Sequence, residues 1–124
     1  MDKLEYIVGD VVMYDNKVMV VKEPRDGSHF DLSCPKEGLT YCLVSVDDIE
    51  PVDLTSAILE KNGWRKEHIY FKNRWIPRIK LCTDEREYKW AVIINDDIMG
   101  GYIYYVHWLQ HILYAFRIEE EMEV

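Results

Sequence analysis

The sequence of 124 residues predicts an α+β protein. A small β-barrel over residues 1–53 is followed by an α-β-β-β-α unit over 54–124 that packs against it. Three observations predict this. Residues 5–52 alternate β-branched and aromatic runs with turns rich in Gly, Pro, Asn and Asp, the pattern of short strands. Two apolar runs have helical spacing, one just after Leu54 and one ending at Phe116. Between them, Trp75 to Leu81 places Trp75, Ile79 and Leu81 on one face and Arg78 and Lys80 on the other, as in a half-buried strand.

The first strand reads from Tyr6 to Tyr14 and the return strand from Val18 to Lys22, with Asp15-Asn16-Lys17 as the turn. Pro24 to Ser28 reads as a loop, His29 to Cys34 as a third strand and Leu39 to Val44 as a fourth after the Pro35–Gly38 turn. Asp47-Asp48-Ile49 suits one 3₁₀ turn before a short strand at Glu50-Pro51-Val52. Five short strands in succession favour a closed barrel, because closure removes exposed edges. The order resembles SH3-like barrels, with Gly9-Asp10-Val11-Val12 at the start, a tight hairpin, and Asp47 to Pro51 at the exit. Such barrels bind peptides, nucleic acids or nothing, so the resemblance implies a fold and no activity.

Pro51 to Leu54 reads as the seam. Thr55 is a good N-cap, Ser56 to Lys61 a short helix with Ile58 and Leu59 facing the core, and Asn62-Gly63 its stop. Three strands follow, at Ile69–Phe71, Trp75–Leu81 and Tyr88–Ile94. Pro77 cannot donate to a ladder and marks an edge or a bulge. Asn95-Asp96-Asp97 ends the third strand, and Gly100-Gly101 reads as a break. The main helix runs from Tyr104 to Phe116. Val106, Leu109, Leu113 and Phe116 form its apolar stripe, widened by Tyr105, Trp108, Ile112 and Ala115. His107, Gln110, His111 and Tyr114 fall on its more polar face. Ile118 to Val124 reads as a short last strand or a solvated acidic tail. Each part alone is small for independent stability, which is why a shared interface is expected.

Two boxes carry a second resemblance. One is Leu54-Thr55-Ser56-Ala57-Ile58-Leu59-Glu60-Lys61-Asn62-Gly63-Trp64; the other is Tyr105-Val106-His107-Trp108-Leu109-Gln110-His111. Together they resemble short proteins of anaerobic gut bacteria and of their phages and mobile elements, which carry a Leu-Thr-x-x-Ile-Leu-x-x-Asn-Gly-aromatic box and end in Tyr-Val-His-x-Leu-Gln. The resemblance implies a phage or mobile-element context and brings no known activity. It places His107 and Gln110 in the shared pattern, whereas the position of His111 often carries another residue.

Composition narrows the function. The net charge of −8 is uneven: residues 61–89 hold nine bases against four acids, and acidic segments flank them. Overall acidity opposes non-specific binding to nucleic acid or to an anionic membrane. No window approaches the roughly 18 apolar residues of a membrane span, and Met1 to Glu5 does not resemble a secretory signal. Cys34, Cys42 and Cys82 form no CxxC pair and read as buried, reduced thiols. The expectation is a soluble, cytoplasmic protein without a cofactor.

Three groups of residues could carry chemistry. His107 and His111, four apart on a helix, could chelate zinc from one face. The position after His107 is Trp108 where a zincin has its Glu base, and a third ligand would have to come from Cys82, Asp96 or Glu119. No metal is therefore expected. His107 and Gln110, with His111 and Tyr114, could instead contact a partner. Lys72, Arg74, Arg78 and Lys80 lie among Tyr70, Trp75 and Trp64, and cations beside aromatics can bind phosphate and stack bases. Nucleophilic catalysis lacks its motifs. The sequence reading is a non-catalytic accessory or interaction module acting on a host protein, a sibling subunit or a second copy. A nucleic-acid-associated factor and a metal-dependent hydrolase are the alternatives.

Overall fold

The computed structural model describes residues 6–66, 70–72, 79–84, 89–95, 97–118 and 122–124. It is an α+β structure with antiparallel strand pairing throughout the described ladders. The chain divides into two compact units, Met1–Val52 and Asp53–Val124. Among the described residues, no helix is long and apolar enough to cross a membrane.

The first unit contains β1 (Val11–Tyr14), β2 (Lys17–Asp26), β3 (His29–Cys34), β4 (Leu39–Ser45), a 3₁₀ turn (Val46–Asp48) and β5 (Glu50–Pro51). Their order across the sheet is β4-β3-β2-β1-β5. This is a four-strand meander with β5 returning to the far side of β1. The described ladder is open between β4 and β5, so the expected closed barrel is not found.

Local chemistry explains most of these elements. Tyr14 pairs with Lys17, leaving a two-residue turn in which Asp15 and Asn16 both have positive φ. That conformation matches the strand twist, and Asp and Asn tolerate it well. β1 begins later than expected. Gly9 sits at φ +93°, and the buried Asp10 turns its carboxylate back to accept the Ile7 N–H at 2.8 Å. A turn therefore replaces the first half of the anticipated strand.

β2 runs longer than expected, through Pro24 to Asp26, where a loop was anticipated. β1 pairs with β2 only up to Val20, so Pro24 has no ladder on that side to which it must donate. Register shifts on either side of Glu23 and Pro24 leave Lys22 and Arg25 as extra residues, and such bulges bend and twist a strand. The core beneath the bend contains Val12, Met19, Val21, Phe30, Leu32, Cys34, Val44 and Ile49.

The second unit contains α1 (Ser56–Lys61), β6 (Arg65–Lys66), β7 (Tyr70–Phe71), β8 (Ile79–Asp84), β9 (Lys89–Ile94), β10 (Asp97–Ile103) and α2 (Val106–Ala115). Five strands in the order β10-β9-β8-β7-β6 replace the expected three. Gly100-Gly101 does not break the chain. It lies inside β10, where the register shifts between Ile98 and Tyr102, so the glycines occupy a bulge.

α1 is capped at both ends as local chemistry requires, whereas Tyr105 begins α2 without a side-chain cap. Thr55 Oγ1 accepts the Ile58 N–H, and Gly63 at φ +85° closes α1 with Trp64 N–H donating to Leu59 O. At the end of α2, Arg117 takes the left-handed position at φ +59°, and Ile118 N–H donates to Leu113 O. Leu54 anchors the start of the unit. Its N–H donates to Tyr104 O, and its carbonyl accepts the indole N–H of buried Trp90 at 2.7 Å. Of the segment after α2, residues 122–124 form neither helix nor strand, and Met122 is buried.

Candidate functional site

α2 holds the histidine pair, but not as its periodicity suggested. Val106, His107, Trp108 and Leu109 are all buried, so the first turn is enclosed on every side. His107, expected on the polar face, is completely buried. It stacks on Tyr105 with ring centroids 5.8 Å apart and planes 10° apart. Trp108 meets Tyr104 and Tyr105 edge-on at 5.5 and 5.0 Å. Enclosure by these rings overrides the helical wheel. Gln110 and His111 are half-buried, and Tyr114 is 71% exposed. Phe116, expected in the apolar stripe, is the C-cap and is exposed.

The His107 and His111 rings are brought together, with centroids 5.6 Å apart and nearly perpendicular planes. Among the described residues, no group of three His, Cys, Asp or Glu side chains could hold a metal. Cys82 is exposed on β8; Asp96 and Glu119 lie outside the described residues.

Of the basic segment, Arg74, Trp75 and Arg78 lie outside the described residues. Lys72 is half-buried, and its ammonium donates to Asn62 O at 2.8 Å, at the carbonyl end of α1 where a cation is favoured. Lys80 is half-buried on β8, opposite Phe71. Trp64 is buried at 2% exposure and presents no face on which a base could stack.

The cysteines also depart from expectation. Cys34 is buried, whereas Cys42 and Cys82 are exposed. Strand alternation turns Leu81 inward beside Cys82, and Tyr41 contributes to the core beside Cys42.

The sequence predicts β4 as a strand but does not mark it as a site. Leu39 is 51% and Leu43 61% exposed, and Leu43 has φ +54°. The register shift between Phe30 and Leu32 puts two β4 residues, Cys42 and Leu43, opposite Asp31. Asp31 is buried. Its Oδ1 accepts the Leu43 N–H at 3.0 Å, and its Oδ2 accepts from Arg25 Nε at 2.7 Å. The Arg25 hydrogen bond, then the Leu43 amide, holds the Asp31 carboxyl below its ordinary range. The ion pair thus fixes a bulge that presents Leu43 outward. At the other end of β4, Lys17 pairs with Glu37 at 2.7 Å and lies over the Tyr41 ring, and Tyr41 meets Tyr14 edge-on. An acid between Phe30 and Leu32 in a β-run was the one available signal.

Each sheet has one short and one long edge; the long edge of the second, β10, begins with Asp97 and is bulged at Gly100-Gly101. β5 is two residues long and consists of a Glu and a Pro; β6 is two residues long and basic. Short, charged or proline-bearing strands resist further pairing. β4 is seven residues long and contains no charged residue or proline, in a unit with eleven acids and five bases. The chain matches no protein-family model, no curated protein and no solved structure.

Proposed function

We propose that this chain is a non-catalytic interaction module that recognises a protein partner by adding an extended segment to the edge of β4. The observation that carries this reading is that, of the four edge strands, β5 and β6 are two residues long and β10 bears Asp97 and a bulge, whereas β4 is long, carries no charge and exposes Leu39 and Leu43. Strand addition takes affinity from main-chain hydrogen bonds and specificity from alternate side chains. The Asp31–Arg25 bulge supports this by holding Leu43 outward at the far end of the strand. The first unit is of SH3-like type on this reading, supported by the β1–β4 meander, the 3₁₀ turn and the return of β5 to β1. The phage or mobile-element context rests on the two sequence boxes, and the partner class on that reading is a host protein or a sibling subunit.

The test is selection of extended peptides from a random library on the full chain. Peptides so obtained should lose at least about tenfold in affinity on Leu39→Lys or Leu43→Lys, because a buried apolar contact is replaced by a charge. A library that yields no binder, or binders indifferent to both substitutions, would overturn the proposal.

A further inference from the structure

The C-cap of α1 carries a side chain that acts as a strand edge. Asn62 Oδ1 accepts the Glu123 N–H at 2.8 Å, and Asn62 Nδ2 donates to Glu123 O at 2.7 Å. These are the two bonds that paired residues of an antiparallel ladder exchange, with a carboxamide in place of one backbone. Nδ2 also donates to Ile58 O at 2.7 Å, which fixes the carboxamide on the helix. Lys61 Nζ donates to Val124 O at 3.1 Å, and Met122 is 8% exposed.

We infer that this end of α1 is a docking site for an extended acidic–apolar segment, held in cis by Met122–Val124 and open to the same segment of a second copy. Four features define the fit. The carboxamide reads main chain at one residue, Lys61 takes the next carbonyl, Met122 is the apolar anchor, and Lys61 and Lys72 supply positive charge. The segment is acidic in sequence, and its Glu123 lies at the Asn62 carboxamide beside Lys61. Residues 122–124 lie in no ladder and are held by side chains of α1, so they open at a lower free energy than the β8–β9 core. Tethering gives the cis segment an effective concentration in the millimolar range, so it outcompetes a free copy until it is weakened.

The experiment weakens the segment and leaves the site intact. Full-length Met122→Ala is compared with the unaltered chain by amide hydrogen exchange and by anisotropy of a labelled Glu-Glu-Glu-Met-Glu-Val peptide. The Glu123 amide should exchange at least about tenfold faster in the variant, with the amides of β9 unchanged. The peptide should bind the variant at least about tenfold more tightly than the unaltered chain, and adding Asn62→Ala should abolish that gain. If Met122→Ala does not fold, Glu123→Pro at an exposed position removes the same donor from the segment alone. Exchange of Glu123 only through global unfolding would overturn the inference. So would failure of the peptide to bind a folded variant whose own segment is released.

Discussion

Replacing Trp90 with Phe tests the link that closes the second unit. Trp90 is 1% exposed on β9, and its indole N–H reaches Leu54 O across 36 residues at 2.7 Å. Leu54 is itself fully buried. Phe removes the donor, so a buried carbonyl loses its partner at a cost of about 1–3 kcal/mol. The smaller ring leaves a void. At about 24 cal/mol per Å3, a few tens of Å3 adds about 1 kcal/mol. The expected loss is about 2–4 kcal/mol, a large share of the roughly 5–15 kcal/mol that stabilises a typical domain. Trp108→Phe is the matched control. Trp108 is also buried, but its Nε1 has no hydrogen-bond partner among the described residues. The same ring change there removes an unsatisfied donor instead of a bonded one. Urea unfolding of both full-length variants, followed by far-UV circular dichroism, gives the comparison. If Trp90→Phe costs no more than Trp108→Phe, the indole bond is not what anchors Leu54.

Further outcomes follow from the same geometry. His107→Ala should cost about 2–4 kcal/mol in urea unfolding, because a fully buried ring is removed from among Tyr105, Trp108 and His111. A near-neutral result would place His107 at the surface. Asp26 is held at about 2 by the Ser28 backbone N–H and then by His29, below the ordinary 3.8. Its ionised form therefore stabilises the fold above about pH 4, and that contribution is lost as the pH falls toward 2. Asp26→Asn should flatten the stability profile in this window, and an unchanged acid slope would contradict the assignment. Arg117→Gly should raise stability by about 0.5 kcal/mol, since relief of a left-handed residue (about 1–2 kcal/mol) exceeds the entropy lost with glycine (about 0.5–1 kcal/mol). Thermal melting of the variant reads this directly, and a lowered midpoint would refute it.

Features set by neighbouring residues were legible in the sequence. Thr55 and Gly63 bracket α1 because a cap needs only a hydroxyl and a residue that accepts positive φ. The Asp15-Asn16 hairpin follows from the same local rule. The helical stripe of α2 correctly placed Val106, Leu109 and Leu113 inside. Periodicity failed where other elements decide burial. It describes one helix in isolation, whereas His107 is enclosed by rings beside and above it. Gly100-Gly101 read as a break, yet pairing with β9 carries the strand across them as a bulge.

The sequence by itself determined that the chain is α+β, where α1 starts and stops, and that acidic segments flank a basic one. These depend on contacts a few residues apart, which composition and spacing record. Only the tertiary structure decided which strand is left as an uncharged edge, that Asp31 holds the bulge displaying Leu43, and that Asn62 clasps Glu123. The last contact spans 61 residues. A carboxamide carries no mark of a distant backbone partner until the fold brings the two together.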